Sequence, residues 1–386
     1  MPKKSDSFIP ALASFFGTTI GVGIFALPFA YQYAFPASIL LLVAIALILI
    51  SLYSMYIEIL LEKGVGFHQL PGIVSKIWGK KARNAVGIIL LIGRTGIMFL
   101  YTVILADFGS LIIENILGVT ISPTLISIVA TFLTSIAIAG NVKIKSKAEL
   151  LLSSAIVGII GMISIAGILQ VLSNSPDTFA EVFKHDRILL EGPLSENIKI
   201  LGTIYGVTIG ALSGIAAIPA LKGISRNKDT LLKATRVGTA LVVILYGLFA
   251  LFVVTTSTHV SGDALTGLGD SWWVTLLAVG GFLSVITSYL GVGNSLFEVY
   301  HHDYELPEIP SWLLTFLPPA VLFIAGIDNF TYIAAVIGGV IGGSEGLIIL
   351  ASYWKLESSQ NDLPLGKKIP AAITALILGI GLILAL

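Results

Sequence analysis

Apolar residues along this chain fall into eleven long blocks separated by short polar seams. Each block is long enough, or nearly so, to cross about 30 Å of hydrocarbon at 1.5 Å per residue. The pattern predicts membrane-spanning helices at 8–33, 37–57, 85–113, 121–139, 150–172, 200–221, 237–256, 274–300, 312–327, 330–353 and 369–386. The ninth is the shortest, and the seam between it and the tenth, around Asp328 and Asn329, is narrow. The expected fold class is an all-α integral membrane protein, one membrane domain over 1–386.

The lysines and arginines orient these spans. Lys3 and Lys4, five residues from Lys63 to Arg83, Lys143, Lys145, Lys147, five from Lys222 to Arg236, and Lys355, Lys367 and Lys368 fall on one side. Only Lys184, Arg187 and Lys199 fall on the other, and Arg94 lies inside a span. Because positive residues concentrate in cytoplasmic loops, this asymmetry predicts a cytoplasmic N-terminus and an external C-terminus. Between spans, Leu70, Ile73, Val74, Ile77 and Trp78 share one helical face beside Lys76, Lys80, Lys81 and Arg83. That suits a helix lying in the interface or packed under the bundle. The stretch 173–199, mixed in charge and holding Pro176 and Pro193, reads as an external loop.

Composition sharpens the class. Of 386 residues, 56% are hydrophobic and 11% charged, and the mean hydropathy is +0.97, more than a soluble surface allows. A net charge of zero gives no pull toward nucleic acid. With no cysteine, disulfides, thiolate metal sites and cysteine nucleophiles are excluded. The five histidines offer no metal-binding spacing, and His301 and His302, being adjacent, do not share a helix face and read as a solvated loop pair. The start, Met1 to Asp6, has the positive flank of a signal peptide, but the apolar run after it is too long for one and reads as retained.

Candidate chemistry lies in the first and sixth spans. The first carries Gly17-Thr18-Thr19-Ile20-Gly21-Val22-Gly23, then Pro28; the sixth carries Gly206-Val207-Thr208-Ile209-Gly210-Ala211-Leu212-Ser213-Gly214, then Pro219. Glycines at membrane depth weaken a helix, and irregular backbone is tolerated there only inside protein or along a cavity. Helix packing through GxxxG spacing would explain glycines at 17 and 21 and at 206 and 210. It does not explain their recurrence in the first and sixth of eleven spans with a proline following each. Aligning Gly17 with Gly206 and Gly21 with Gly210, in spans of opposite direction, predicts a five-plus-five inverted repeat. Its halves cover about 8–172 and 200–353, with an extra helix at 369–386. Free N–H groups near Gly21 and Gly23 favour a carboxylate, and freed carbonyls favour an ammonium or small cation. A zwitterion suits both.

The run Gly17 to Pro28 resembles the opening helix of amino acid permeases of the APC superfamily, in particular the amino acid/auxin permease branch and its bacterial aromatic amino acid permeases. In the eighth span, Thr287-Ser288-Tyr289-Leu290-Gly291-Val292 followed by Leu296-Phe297-Glu298 is similar to their corresponding motif; Asn294-Ser295 and Arg94 depart from it. The resemblance implies a LeuT-like fold and alternating access. It implies a substrate carboxylate at Thr19, Gly21 and Gly23, and an ammonium at Gly206, Thr208 and Gly210. Ala211, Ser213 and Gly214 would shape the side-chain pocket, leaving room for a neutral or aromatic substrate. It further implies a sodium site at Thr287 and Ser288 with first-span carbonyls near Gly17 and Ile20. Ser and Thr in membrane helices also bond their own backbone, which keeps proton coupling open.

Ionisable groups within spans default to function. Arg94 sits near half depth and needs a partner, with Glu345, Glu58 and Asp107 as candidates; a pair with Glu345 would form a gate or proton relay, or a static ion pair. Glu298 and Glu58 lie near span ends and read as interfacial. The leading expectation is a secondary transporter of amino acids, ion-coupled, in the cell membrane and without a further cofactor. A nutrient sensor on the same fold, or a carrier of another small amine, is the alternative. A channel would need polar rings that these scattered charges do not form, and an enzyme a nucleophile–base set that the spans lack.

Overall fold

The computed structural model describes residues 8–62, 69–139, 146–174, 177, 182, 193–257, 259–269, 271–327, 330–360 and 365–384. Their helices are α1 (Phe8–Thr19), α2 (Gly23–Tyr31), α3 (Phe35–Leu61), α4 (Leu70–Trp78), α5 (Lys80–Leu117), α6 (Pro123–Ala139), α7 (Ser146–Asn174), α8 (Leu194–Leu212), α9 (Ile218–Ile224), α10 (Lys228–Thr256), α11 (Trp272–Glu298), α12 (Glu308–Ile324), α13 (Phe330–Val336), α14 (Gly343–Gln360) and α15 (Leu365–Leu384). Among the described residues, seven spans are long and apolar enough to cross a membrane, and α1 with α2, bent by 56° at their junction, make an eighth. Three shorter apolar helices, Pro123–Ile138, Glu308–Ile324 and Pro370–Leu384, coincide with predicted spans four, nine and eleven. Most of the loop expected over 173–199, and the seam at Asp328 and Asn329, lie outside the described residues.

Local chemistry sets the boundaries. Proline at the first or second position opens α3, α4 and α9, where its missing N–H costs nothing. The Asn227 side chain accepts from the N–H groups of Asp229 and Thr230 at 2.9 and 3.2 Å and caps α10. The long α5 stops at Gly118, whose φ of +63° is a left-handed conformation that a glycine adopts without strain.

The third and eighth spans, α5 and α11, pack along much of their length; α1 and α2 lie against the seventh span α10, and α8 lies against α2 and the tenth span. Glycines bring these helices close. A Cβ on Gly206 would sit 2.1 Å from the Ala335 carbonyl oxygen, and one on Gly338 would sit 2.0 Å from that of Gly206. Gly93 and Gly96 of α5 likewise admit Ile341 and Ile337 of the π-helical turn Ile337–Gly342 that joins α13 to α14. Outward-facing Leu40, Leu47, Leu133 and Ile244 are exposed, as lipid-facing residues of such a bundle are.

One open expectation is resolved and another changes. The apolar face of α4 is buried at Leu70, Ile73 and Val74 against α5, so this helix packs under the bundle and only its end, with Trp78 beneath the Lys355 ammonium, remains open. His301 and His302 are not a loop pair. They continue the eighth span as a π-helical turn, Val299–Asp303, with His301 Nδ1 2.8 Å from the Leu306 carbonyl and its ring stacked on Phe297. Since a carbonyl only accepts, Nδ1 carries the proton.

Candidate functional site

The first span is broken at Ile20, Gly21 and Val22, between α1 and α2. The sixth is broken at Ser213 and Gly214, after which a 3-10 turn, Ile215–Ala217, leads into α9. The break therefore falls later than the aligned glycines suggest. Gly206 and Gly210 lie within α8, where they serve close packing against the tenth span, so the helix-packing alternative accounts for this pair.

A cavity of about 90 Å³ lies between the two breaks, lined by Thr19, Gly21 and Gly23 of the first span, Gly210, Ala211 and Ser213 of the sixth, Ile97 and Tyr101 of the third, and Phe330 and Ile337 of the tenth. At its first-span wall, the N–H groups of Val22, Gly23 and Ile24 belong to the opening turn of α2, where a helix provides no partner of its own. The two spans touch here as backbone, since a Cβ on Gly23 would lie 2.5 Å from Ala211 Cα. A Cβ on Gly21 would lie 3.1 Å from the Tyr101 hydroxyl.

Three expected residues stand apart from this cavity. The Gly206 carbonyl is an interior helix carbonyl. Thr208 is fully buried, its hydroxyl 2.9 Å from that of Tyr31 and donating to Ile204 O. Gly214 sits in the break, but its face is filled by Phe15 and Thr19.

The freed carbonyls at the breaks are met by hydroxyls from neighbouring spans. Tyr53 of α3 is spliced into the sixth-span break, donating to Leu212 O at 2.8 Å and accepting from Gly214 N at 2.7 Å. It replaces the backbone bond that the break removes. Ile20 O accepts from Ser284 at 3.3 Å and Ser288 at 3.2 Å, one turn apart on α11. Thr287 is not part of this group. Adjacent residues do not share a helix face, and its hydroxyl bonds Ser284 O at 2.8 Å while facing another cavity. Gly17 is an interior residue of α1.

Tyr53→Phe keeps the ring but strands a buried carbonyl and N–H, each costing about 1–3 kcal/mol. Thermal unfolding in detergent is expected to shift down by several degrees; an unchanged transition would mean the splice contributes no stability.

Arg94 and Glu345 both line the central cavity and are 3% and 8% exposed. The expected ion pair is not formed, because no carboxylate among the described residues lies within 4.0 Å of the guanidinium, which donates instead to Ser295 Oγ at 2.5 Å. The two departures from the permease motif thus satisfy one another. Glu58 pairs with Lys228 at 2.8 Å and accepts from Tyr353 at 3.0 Å. Ser295 belongs to the wall of a second cavity of about 490 Å³, with Gln69, Glu298, His301 and His302, on the predicted cytoplasmic side. Thr18 and Ala216 line both cavities, so the Arg94–Ser295 bond bridges the partition between them.

Sequence reasoning missed Ser284, Tyr53, Tyr101 and Tyr246. For the three tyrosines the signal was available, since a tyrosine inside an apolar span needs a partner for its hydroxyl.

No family model and no curated protein matches this chain. Among solved structures, the crystal structure of MhsT in complex with L-phenylalanine matches with a TM-score of 0.63 at 14% identity, over 99% of this chain and 98% of that one. At that identity the likeness establishes the architecture, and the chain has the LeuT-like all-α membrane fold.

Proposed function

We propose that this chain is a secondary active transporter of L-amino acids, working by alternating access in the cell membrane and driven by a sodium or proton gradient. The observation that carries this reading is the cavity between two broken helices, with open N–H groups on one wall and helix-end carbonyls on the other. Such a site binds a zwitterion through backbone alone, the carboxylate at the N–H groups of Val22 and Gly23, since that of Gly21 is turned to Thr19 O at 3.0 Å, and the ammonium at Gly210 and Ala211. The apolar remainder, Ile97, Phe330 and Ile337, favours a neutral or aromatic side chain. The L-phenylalanine bound to MhsT, a protein of the same fold, supports this choice, as does the resemblance to APC permeases of the amino acid/auxin branch. Ile20 O, Ser284 and Ser288 supply three neutral oxygens suited to a hard monovalent cation.

The test is uptake of a radiolabelled amino acid panel into proteoliposomes under an imposed sodium or pH gradient. Saturable, uphill uptake of neutral or aromatic members is expected. Sodium dependence would assign the cation to Ser284 and Ser288, and proton dependence would assign coupling to Glu345. Uptake of nothing in the panel would overturn the amino acid reading.

A further inference from the structure

Carbonyls freed at a helix break in a low-dielectric interior need a cation or a donor. Thr19 O, at the end of α1, accepts from the Gly21 N–H at 3.0 Å within its own turn, and it shares a second donor with Ala211 O, in the last turn of α8, across the breaks. The phenol of Tyr246, from the seventh span, lies 3.1 Å from the first and 3.2 Å from the second, and its side chain is fully buried. A phenol has one proton to give, so the two carbonyls share it. We propose that the Tyr246 hydroxyl takes the place of a bridging cation between the first and sixth spans. The substrate site then assembles without an ion at that point. The neighbouring carbonyl Leu212 O is held in the same way by Tyr53. Of the break carbonyls, Ile20 O faces only two serine hydroxyls, which can turn to admit an ion. With Thr19 O, Ala211 O and Leu212 O held by tyrosines, Ile20 O with Ser284 and Ser288 is the place we assign to a single alkali cation at the breaks. Tyr246 is a positioning residue, acting through the carbonyls that define the ammonium end of the site.

This deepens the transporter reading and rests on it. Its test counts ions directly, by equilibrium binding of radioactive sodium to the full-length protein in detergent. One sodium ion per chain or none is expected, and two would overturn the proposal whether or not transport is found. A substrate-binding series follows on whichever amino acid the uptake panel selects. Tyr246→Phe is expected to weaken substrate binding by about tenfold or more, as loss of a shared buried hydrogen bond implies. Tyr205→Phe is the control, because the Tyr205 hydroxyl is buried without a hydrogen-bond partner among the described residues; its affinity should not change. Unchanged affinity in Tyr246→Phe would overturn the proposal. Failure of every amino acid to bind, with sodium still at one or none, would overturn the transporter reading and leave the ion count standing.

Discussion

Gly23→Ala is expected to abolish uptake while the protein still folds and inserts. The added methyl would lie 2.5 Å from Ala211 Cα and 2.7 Å from its Cβ, and the obstacle is backbone, which cannot rotate away. Relief requires the two broken spans to separate at the point where they form the cavity. Overpacking of this kind costs about 1–3 kcal/mol, offset in part by about 0.5–1 kcal/mol for replacing a glycine in a helix. The expected signature is near-normal stability with no transport. Gly158→Ala is the control, since a Cβ there meets open space. Uptake by Gly23→Ala equal to that control would refute the close crossing of the two spans.

Arg94→Met is expected to lower uptake by about a hundredfold or more. Its guanidinium is 3% exposed and fixed to Ser295 where the central cavity meets the second one. A buried hydrogen bond from a charged group contributes up to about 3 kcal/mol, and each 1.4 kcal/mol is tenfold. Glu345 faces the same cavity outside ion-pair distance of Arg94, where it is placed to exchange a proton with the cavity. Glu345→Gln should therefore remove uptake driven by a pH gradient while leaving exchange of internal for external substrate intact. Uptake by Glu345→Gln with unchanged pH dependence would remove this residue from coupling.

Much of the fold was legible in the chain because lipid leaves few options. A backbone without water must bond within its own segment, so length and apolarity alone mark a span. The position of the break in the first span was equally readable, from Gly21 and Gly23 in one short run. The sixth-span break was misjudged because glycine serves two ends. At Gly206 and Gly210 it permits contact with Ala335 and Gly338, whereas the break at Ser213 and Gly214 depends on a hydroxyl from Tyr53, 161 positions away from Gly214.

The partners of buried polar groups were the hardest to read. Arg94 announced itself by its depth, yet its acceptor was Ser295 rather than a carboxylate, and Thr287 yielded its expected place to Ser284. In each case the outcome turned on which face of one helix meets which face of another. The sequence by itself determined the all-α membrane class, the places of the apolar helices and the first break, since these follow from local backbone chemistry and the bilayer. Only the tertiary structure decided which hydroxyls cap the freed carbonyls and how Arg94 is satisfied. Those bonds join spans distant along the chain, and their energies depend on angstrom-scale packing that no local pattern encodes.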